Sequence, residues 1–237
     1  GEKRGLAELV RDLASVEGIE WIRFLYTYPN TIYDELLDAV AETEKVCNYI
    51  DMPLQSASRE VLKRMKRGGN RGSLERLISH VRERVPEVAL RTTLIVGFPG
   101  ETETDFQELL DFVEEVQFDR LGVFAYSDEE DSESYSLEGK VSDTVKKERV
   151  DRVMELQAGI SKAKNKGLVD RKFPLLVEGP SSETDMLWEG RLKTQAPEID
   201  GVVYLNDGVT AETRPGEIRT VHITGAFEYD LIGTLLK

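Results

Sequence analysis

An α/β domain built on a parallel sheet, followed by a small all-β barrel, is the architecture this sequence predicts, and two observations predict it. Over the first two-thirds, apolar β-branched runs alternate with amphipathic helical stripes, the pattern of βαβ units joined by right-handed crossovers. From about Leu168 the helical periodicity gives way to short apolar runs (FPLLVEG, GVVYL, RTVHITGAF) separated by Gly, Pro, Asn and Asp, as in a barrel of five or so short strands. The predicted domains are therefore residues 1–167 and 168–237.

The elements follow in order. Trp21–Tyr28 (WIRFLYTY) is an apolar, aromatic strand candidate ended by Pro29; Thr31 and Asp34 then stand at capping-box spacing before the stripe Leu36, Leu37, Val40. Val46–Leu54 is the second strand candidate, and Val61, Leu62 and Met65 open a helix that Arg67–Gly72 (RGGNRG) interrupts. Ser73 restarts it, with Leu74, Leu77, Ile78 and Val81 on one face. Val88–Val96 (VALRTTLIV) has the β-branched density of a buried parallel strand. The turn Gly97–Gly100 follows, and Thr102 with Asp105 forms a second capping box ahead of Phe106, Leu109, Leu110, Val113 and Val116. Leu121–Tyr126 is the fourth strand, and 142–166 is a long polar helix with Val150, Val153, Met154 and Ile160 inward.

Composition narrows the function. The chain has 237 residues, one cysteine, 45 acidic and 31 basic side chains, and a net charge of −14. No apolar run approaches the ~20 residues of a membrane-spanning helix. One cysteine excludes an internal disulfide framework and a multi-cysteine zinc or iron–sulfur site built from this chain alone. The acidic balance argues against a nucleic-acid binder held by phosphate contacts and favours a basic partner or none. Segment 168–237 carries 12 acids against 7 bases, so neither domain is basic.

In parallel sheets, ligands sit at the carboxyl ends of the strands. Tyr28-Pro29, Leu54-Gln55-Ser56, Gly97–Glu101 and Tyr126-Ser127-Asp128 therefore share one rim. The Gly97–Glu101 turn could bind an anion through helix N–H groups, or could simply be an economical βα turn. Gln55 and Ser56 suit a ligand contact or an ordinary loop equally; Arg67 and Arg71, beside a Gly-rich break, could hold a carboxylate. Asp128–Glu138, six acids and no base, reads as a solvated loop. Cys47 reads as core, and His80 and His222 as structural. No nucleophile–base set, metal cluster or phosphate loop stands out.

Taken together, these residues resemble the radical-SAM methylthiotransferases across essentially the whole chain. Arg91–Phe106 (RTTLIVGFPGETETDF) resembles the family's fifth-strand segment; Asp51–Ser58 (DMPLQSAS) and Met65-Lys66-Arg67 resemble its fourth strand and following helix. Tyr126–Glu130, Ala196–Leu205 (APEIDGVVYL) and Glu228–Gly233 (EYDLIG) are more similar to the members that methylthiolate an aspartate of a small-subunit ribosomal protein than to those that modify tRNA.

The resemblance implies a partial parallel (β/α) barrel, the third to sixth strands of a radical-SAM barrel, followed by a TRAM β-barrel. It implies S-adenosyl-L-methionine and two [4Fe–4S] clusters in the parent enzyme, whose cysteine ligands belong to an N-terminal half that is not in this sequence. On that reading the chain is a C-terminal portion, inactive alone, with no catalytic or metal-ligating residue of its own, from a cytoplasmic enzyme. Carried over position by position, Gln55 resembles a polar contact to the methionine or ribose portion, Arg67 the partner of the methionine carboxylate, and Thr93 a ribose contact. Ile95, Gly97, Phe124 and Ala125 resemble contacts to adenine, and Glu101 the glutamate that closes the fifth-strand motif. The acidic TRAM segment, through Asp200 and Asp207, would engage the basic ribosomal protein; the missing N-terminal half is the other implied partner, and nucleic acid is not. Ser56, Gln195 and Glu130-Asp131-Ser132 depart from the family's usual residues. The alternatives are a fragment of a tRNA methylthiotransferase and a non-catalytic substrate-binding module. Four strands cannot close a six-stranded partial barrel, so an exposed sheet edge is expected.

Overall fold

A computed structural model describes residues 5–181, 183–184 and 186–236. The chain divides into two compact units, one up to Gln157 and one from Ala158.

The first unit contains α1 (Leu6–Ala14), α2 (Asp34–Glu42), β1 (Tyr49–Asp51), α3 (Arg59–Arg64), α4 (Arg71–Arg84), β2 (Ala89–Val96), α5 (Glu103–Val116), β3 (Arg120–Ala125) and the first part of α6 (Asp143–Lys166). The strands form a parallel sheet in the order β1-β2-β3. Asp51 pairs with Arg91, Thr93 with Gly122 and Ile95 with Phe124. On β2, Thr92, Leu94 and Val96 are fully buried, whereas Arg91, Thr93 and Ile95 are half-buried on the other, inner face. That alternation separates the helix-packed side of the sheet from the side available to a ligand.

Four sequence expectations are corrected here. Trp21–Tyr28 is not a strand: it makes one parallel bridge, Ile22 to Val46, and farther along the Thr27 N–H donates to the Asp51 carbonyl at 2.8 Å without extending a ladder. The reason is local, because Tyr26 adopts φ +60° and turns the chain so that its N–H donates to the Asp51 carboxylate at 3.0 Å. Thr31 and Asp34 form no capping box; Tyr33 occupies the N-cap position of α2 without a side-chain bond, and the Thr31 hydroxyl donates to the Tyr28 carbonyl. The expected nine-residue strand at 46–54 is shortened because Pro53 lacks an N–H; beyond it, Gln55 rejoins β2 through one bridge to Leu94. Helix α4 starts at Arg71, inside the expected break, because Asn70 and Ser73 make a reciprocal capping box.

Other expectations hold. Thr102 accepts from the Asp105 N–H while its own N–H donates to the Asp105 carboxylate, capping α5. Cys47 is buried. His80 joins α4 to α2 through Asp34 at 2.8 Å, and His222 lies 3.9 Å from Asp170. Strand β3 is an edge of the sheet as described, with Phe124 61% exposed. On α6, Val153 and Ile160 are buried and Val150 and Met154 half-buried, but Lys146, Arg149 and Gln157 are buried among them. The inward stripe of this helix is substantially polar.

In the second unit β4 (Lys172–Pro180), β5 (Trp188–Leu192), β6 (Val203–Asp207), β7 (Ile218–Ala226) and β8 (Leu231–Leu235) close a barrel in the order β4-β5-β6-β8-β7. All pairings are antiparallel except β6 with β8. Leu175, Val177, Leu192, Val203, Leu205, Val221, Ile223, Leu231 and Leu235 alternate inward and fill the interior. No helix among the described residues is long and apolar enough to cross a membrane.

Candidate functional site

At the carboxyl ends of the sheet lies a cavity of about 450 Å³ lined in part by Gln55, Arg67, Ile95, Phe98, Tyr126 and Leu137. Gln55 follows β1 with φ +72°, a conformation uncommon for a residue with a Cβ. Its backbone is fixed from both sides, the N–H donating to the Thr93 carbonyl at 2.9 Å and the carbonyl accepting from the Ile95 N–H at 2.8 Å. Its amide oxygen is buried with no hydrogen-bond partner among the described residues. A buried acceptor of this kind at a cavity wall is completed by a ligand or water. Arg67 donates to the Pro53 carbonyl at 3.2 Å and stacks 4.8 Å from the centre of the Tyr28 ring, an arrangement that orients its guanidinium at the rim. Phe98 and Tyr126 meet edge to face, with ring centres 5.0 Å apart, and form an apolar wall with Ile95 and Leu137.

The loop after β3 keeps its six acidic side chains exposed, as its composition suggests, and also forms one wall of this cavity. Glu133, Ser134 and Leu137 line the space. Lys66 pairs with Glu133, and Lys140 with Asp128, while Lys140 also donates to the Ser134 carbonyl at 3.2 Å. These pairs tie the acidic loop back over the strand ends. Sequence position puts Phe98 and Tyr126 on the rim without giving either a ligand contact, and Leu137, inside the acidic loop, carries no sequence signal for the site.

Of the expected cofactor contacts, the fold brings Gln55, Arg67 and Ile95 to one cavity. Thr93 lies one pleat away on the same inner face, its hydroxyl oxygen 3.4 Å from an Arg91 Nη, and Phe124 stands in register with Ile95. Ala125 pairs with Val96 and so belongs to the opposite face. Gly97 has φ +74°, and a Cβ there would fall on the Lys146 side chain; the close approach that this glycine permits is therefore by α6.

Glu101 is committed to holding the turn. One carboxylate oxygen accepts from the N–H groups of Gly97 and Phe98 at 2.7 and 3.2 Å, and the other accepts from Arg149 Nη1 at 2.9 Å. Burial pushes its carboxyl above the usual value, opposed by the Arg149 charge and the two backbone donors. Arg149 also reaches Glu103 at 3.3 Å and lies 5.0 Å from the Phe106 ring centre, linking α6 to the start of α5. In the barrel unit, Asp200 accepts from the Ala196 N–H at 2.8 Å, closing a loop, whereas Asp207 is exposed and bonds the adjacent Gly208 N–H.

The arrangement suits a ligand with a carboxylate for Arg67, a donor for Gln55 and a flat apolar group for Phe98, Tyr126 and Ile95. Residues 1–113 match the radical SAM superfamily and residues 169–236 the TRAM domain. The ribosomal protein uS12 methylthiotransferase RimO of Solibacter usitatus is 54% identical over 238 residues, covering 100% of this chain and 51% of the relative. RimO of Koribacter versatilis is 48% identical, covering 100% of this chain and 47% of the relative. The chain thus spans about half the length of the curated relatives it matches. Among solved structures, coproporphyrinogen III oxidase HemN from Escherichia coli, a radical SAM enzyme, aligns with a TM-score of 0.53 at 18% identity, covering 79% of this chain and 50% of that one. That likeness concerns the fold.

The chain thus contains radical SAM superfamily sequence over residues 1–113 and a TRAM domain over residues 169–236. Its sequence is similar over its whole length to part of the RimO proteins.

Proposed function

We propose that this chain is the C-terminal portion of a RimO-like enzyme that methylthiolates an aspartate of ribosomal protein uS12. The observation that carries the reading is the cavity at the strand ends, where the unpartnered Gln55 oxygen, the Arg67 guanidinium and the Ile95–Phe98–Tyr126 wall fit S-adenosyl-L-methionine. Bound next to a reduced [4Fe–4S] cluster, this cofactor supplies radical chemistry at an unactivated carbon. Arg67 would pair with its methionine carboxylate, Gln55 would donate or accept at its polar middle, and the apolar wall would cover its adenine. The Glu101–Arg149 pair would hold the Gly97–Phe98 turn against that wall. With a single cysteine in the chain, buried in its core, the thiolates for both clusters would come from an N-terminal half, without which this chain is inactive.

Arg67→Ala is expected to weaken S-adenosylmethionine binding by about 10- to 100-fold, the worth of a charge-assisted bond, measured by titration calorimetry. Arg67→Lys should rescue little of it, since an ammonium lacks the planar fork. Unchanged affinity in both variants would remove the cofactor from this cavity.

The acidic balance of 168–237 supports a basic protein partner over tRNA. Because Asp200 closes a loop while Asp207 is exposed, Asp207 is the better probe. The chain is expected to bind uS12 with an affinity that falls as salt rises, and Asp207→Lys to weaken it several-fold. Salt-sensitive binding of tRNA without binding of uS12 would instead favour a tRNA-modifying enzyme.

A further inference from the structure

The inner face of the sheet carries arginines in a chain whose net charge is −14. Arg91 on β2 and Arg120 on β3 are register partners, so their side chains leave the sheet on the same face. Arg23 lies 5.0 Å from the centre of the Tyr49 ring, and Tyr49 is two residues before Asp51 on β1. Asp51 pairs with Arg91. It is fully buried, and one oxygen accepts from Arg91 Nη1 at 2.8 Å while the other accepts from the Tyr26 N–H at 3.0 Å. The pair holds Arg91 rigidly, with its side chain 12% exposed.

Opposite Thr93 the neighbouring strand carries Gly122. A Cβ placed on Gly122 would lie 3.8 Å from Arg91 Nη2 and 3.9 Å from Phe124 Cε2. The glycine therefore leaves a methyl-sized notch bounded by the edge of a guanidinium and the edge of an exposed ring. It sits one pleat below Ile95, which lines the cavity. A carboxylate oxygen has the size of that notch, and the guanidinium edge is the donor geometry that carboxylates prefer.

We propose that Arg91 and the Gly122 notch seat the side-chain carboxylate of the protein substrate, which makes Arg91 a specificity-determining residue. The inference rests on the reading of this chain as part of a uS12-modifying enzyme and adds where the acceptor aspartate is recognised.

The test uses the 237-residue chain and two fluorescent peptides, one spanning the modified aspartate of uS12 and one with asparagine in its place. The native chain is expected to prefer the aspartate peptide about tenfold, as a charge-assisted bond would produce. Gly122→Ala adds only a methyl at ordinary contact distance and should fold normally by thermal melting; it is expected to reduce that preference below about twofold, to the level of the asparagine peptide. Arg91→Lys should do the same. Equal binding of the two peptides to the native chain, or a preference that survives Gly122→Ala, would overturn the seat while leaving the uS12 reading in place. Binding of neither peptide would overturn that reading and the seat with it. Loss of S-adenosylmethionine affinity in Gly122→Ala, with peptide preference intact, would assign the notch to the cofactor and overturn the proposal.

Discussion

Replacing Arg149 with alanine is expected to destabilise the α/β unit by about 3–5 kcal/mol, the usual consequence of removing one member of a buried ion pair. The two side chains are 5% and 3% exposed, so water cannot replace the lost guanidinium. The Glu101 carboxylate would remain facing the Gly97 and Phe98 N–H groups without a countercharge. The deficit should depend on pH with a defined sign. Burial already raises the folded-state pKa of Glu101 above its ordinary value, so the native state holds this proton more tightly than the unfolded chain. Its contribution to stability is fully present below the ordinary carboxylate pKa and is lost as pH rises through the raised one. Removing Arg149 takes away the main charge opposing that rise. Urea midpoints measured across the acidic range should therefore show a small deficit at low pH that grows toward neutrality. A deficit independent of pH would show that Arg149 acts through packing alone. S-adenosylmethionine affinity should fall with it, because the turn beside the apolar wall loses its anchor.

Gly208→Ala is the second substitution with a large expected effect, about 2–5 kcal/mol in the barrel unit, combining backbone strain with overpacking. Gly208 follows β6 with φ +81°, and a Cβ there would collide with the Leu235 carbonyl, backbone against backbone. Neither strand end can move away without opening the parallel β6–β8 pairing that closes the barrel. Loss of hydrogen-exchange protection should concentrate at Val203–Leu205 and Leu231–Leu235. A variant as stable as the native chain would mean that the loop after β6 relocates freely.

Much of this architecture is visible in local pattern. Period-two alternation marks Leu175, Val177, Val221 and Ile223 as barrel interior, and the stripe Phe106, Leu109, Val113, Val116 marks α5, capped by Thr102 and Asp105 as its spacing implies. Local pattern also misleads at particular residues. The aromatic run Trp21–Tyr28 has strand composition, yet Tyr26 turns the chain to meet Asp51. Thr31 has capping-box spacing, yet its hydroxyl goes to Tyr28. In both places a competing hydrogen bond outweighs a weak propensity.

The candidate site divides along the same line. Gln55 is legible because it sits at a strand end, and a parallel sheet brings its carboxyl ends to one rim; Arg67, beside a Gly-rich break after α3, and Ile95, within β2, gain a role only through the family resemblance. The partners that shape the cavity are not. Arg149 meets Glu101 across 48 residues, and Lys66 meets Glu133 across 67. No periodicity links residues so far apart, and a charged side chain on a polar helix reads as solvent-facing until packing encloses it. The β module, the parallel sheet and its rim follow from side-chain periodicity, since hydrophobic burial acts on each segment by its own pattern. The Gly97 turn held by Glu101 and Arg149, and the Gly122 notch beside the Asp51–Arg91 pair, follow from which segments the fold places side by side, because a buried charge is tolerated only where the fold delivers its counterpart.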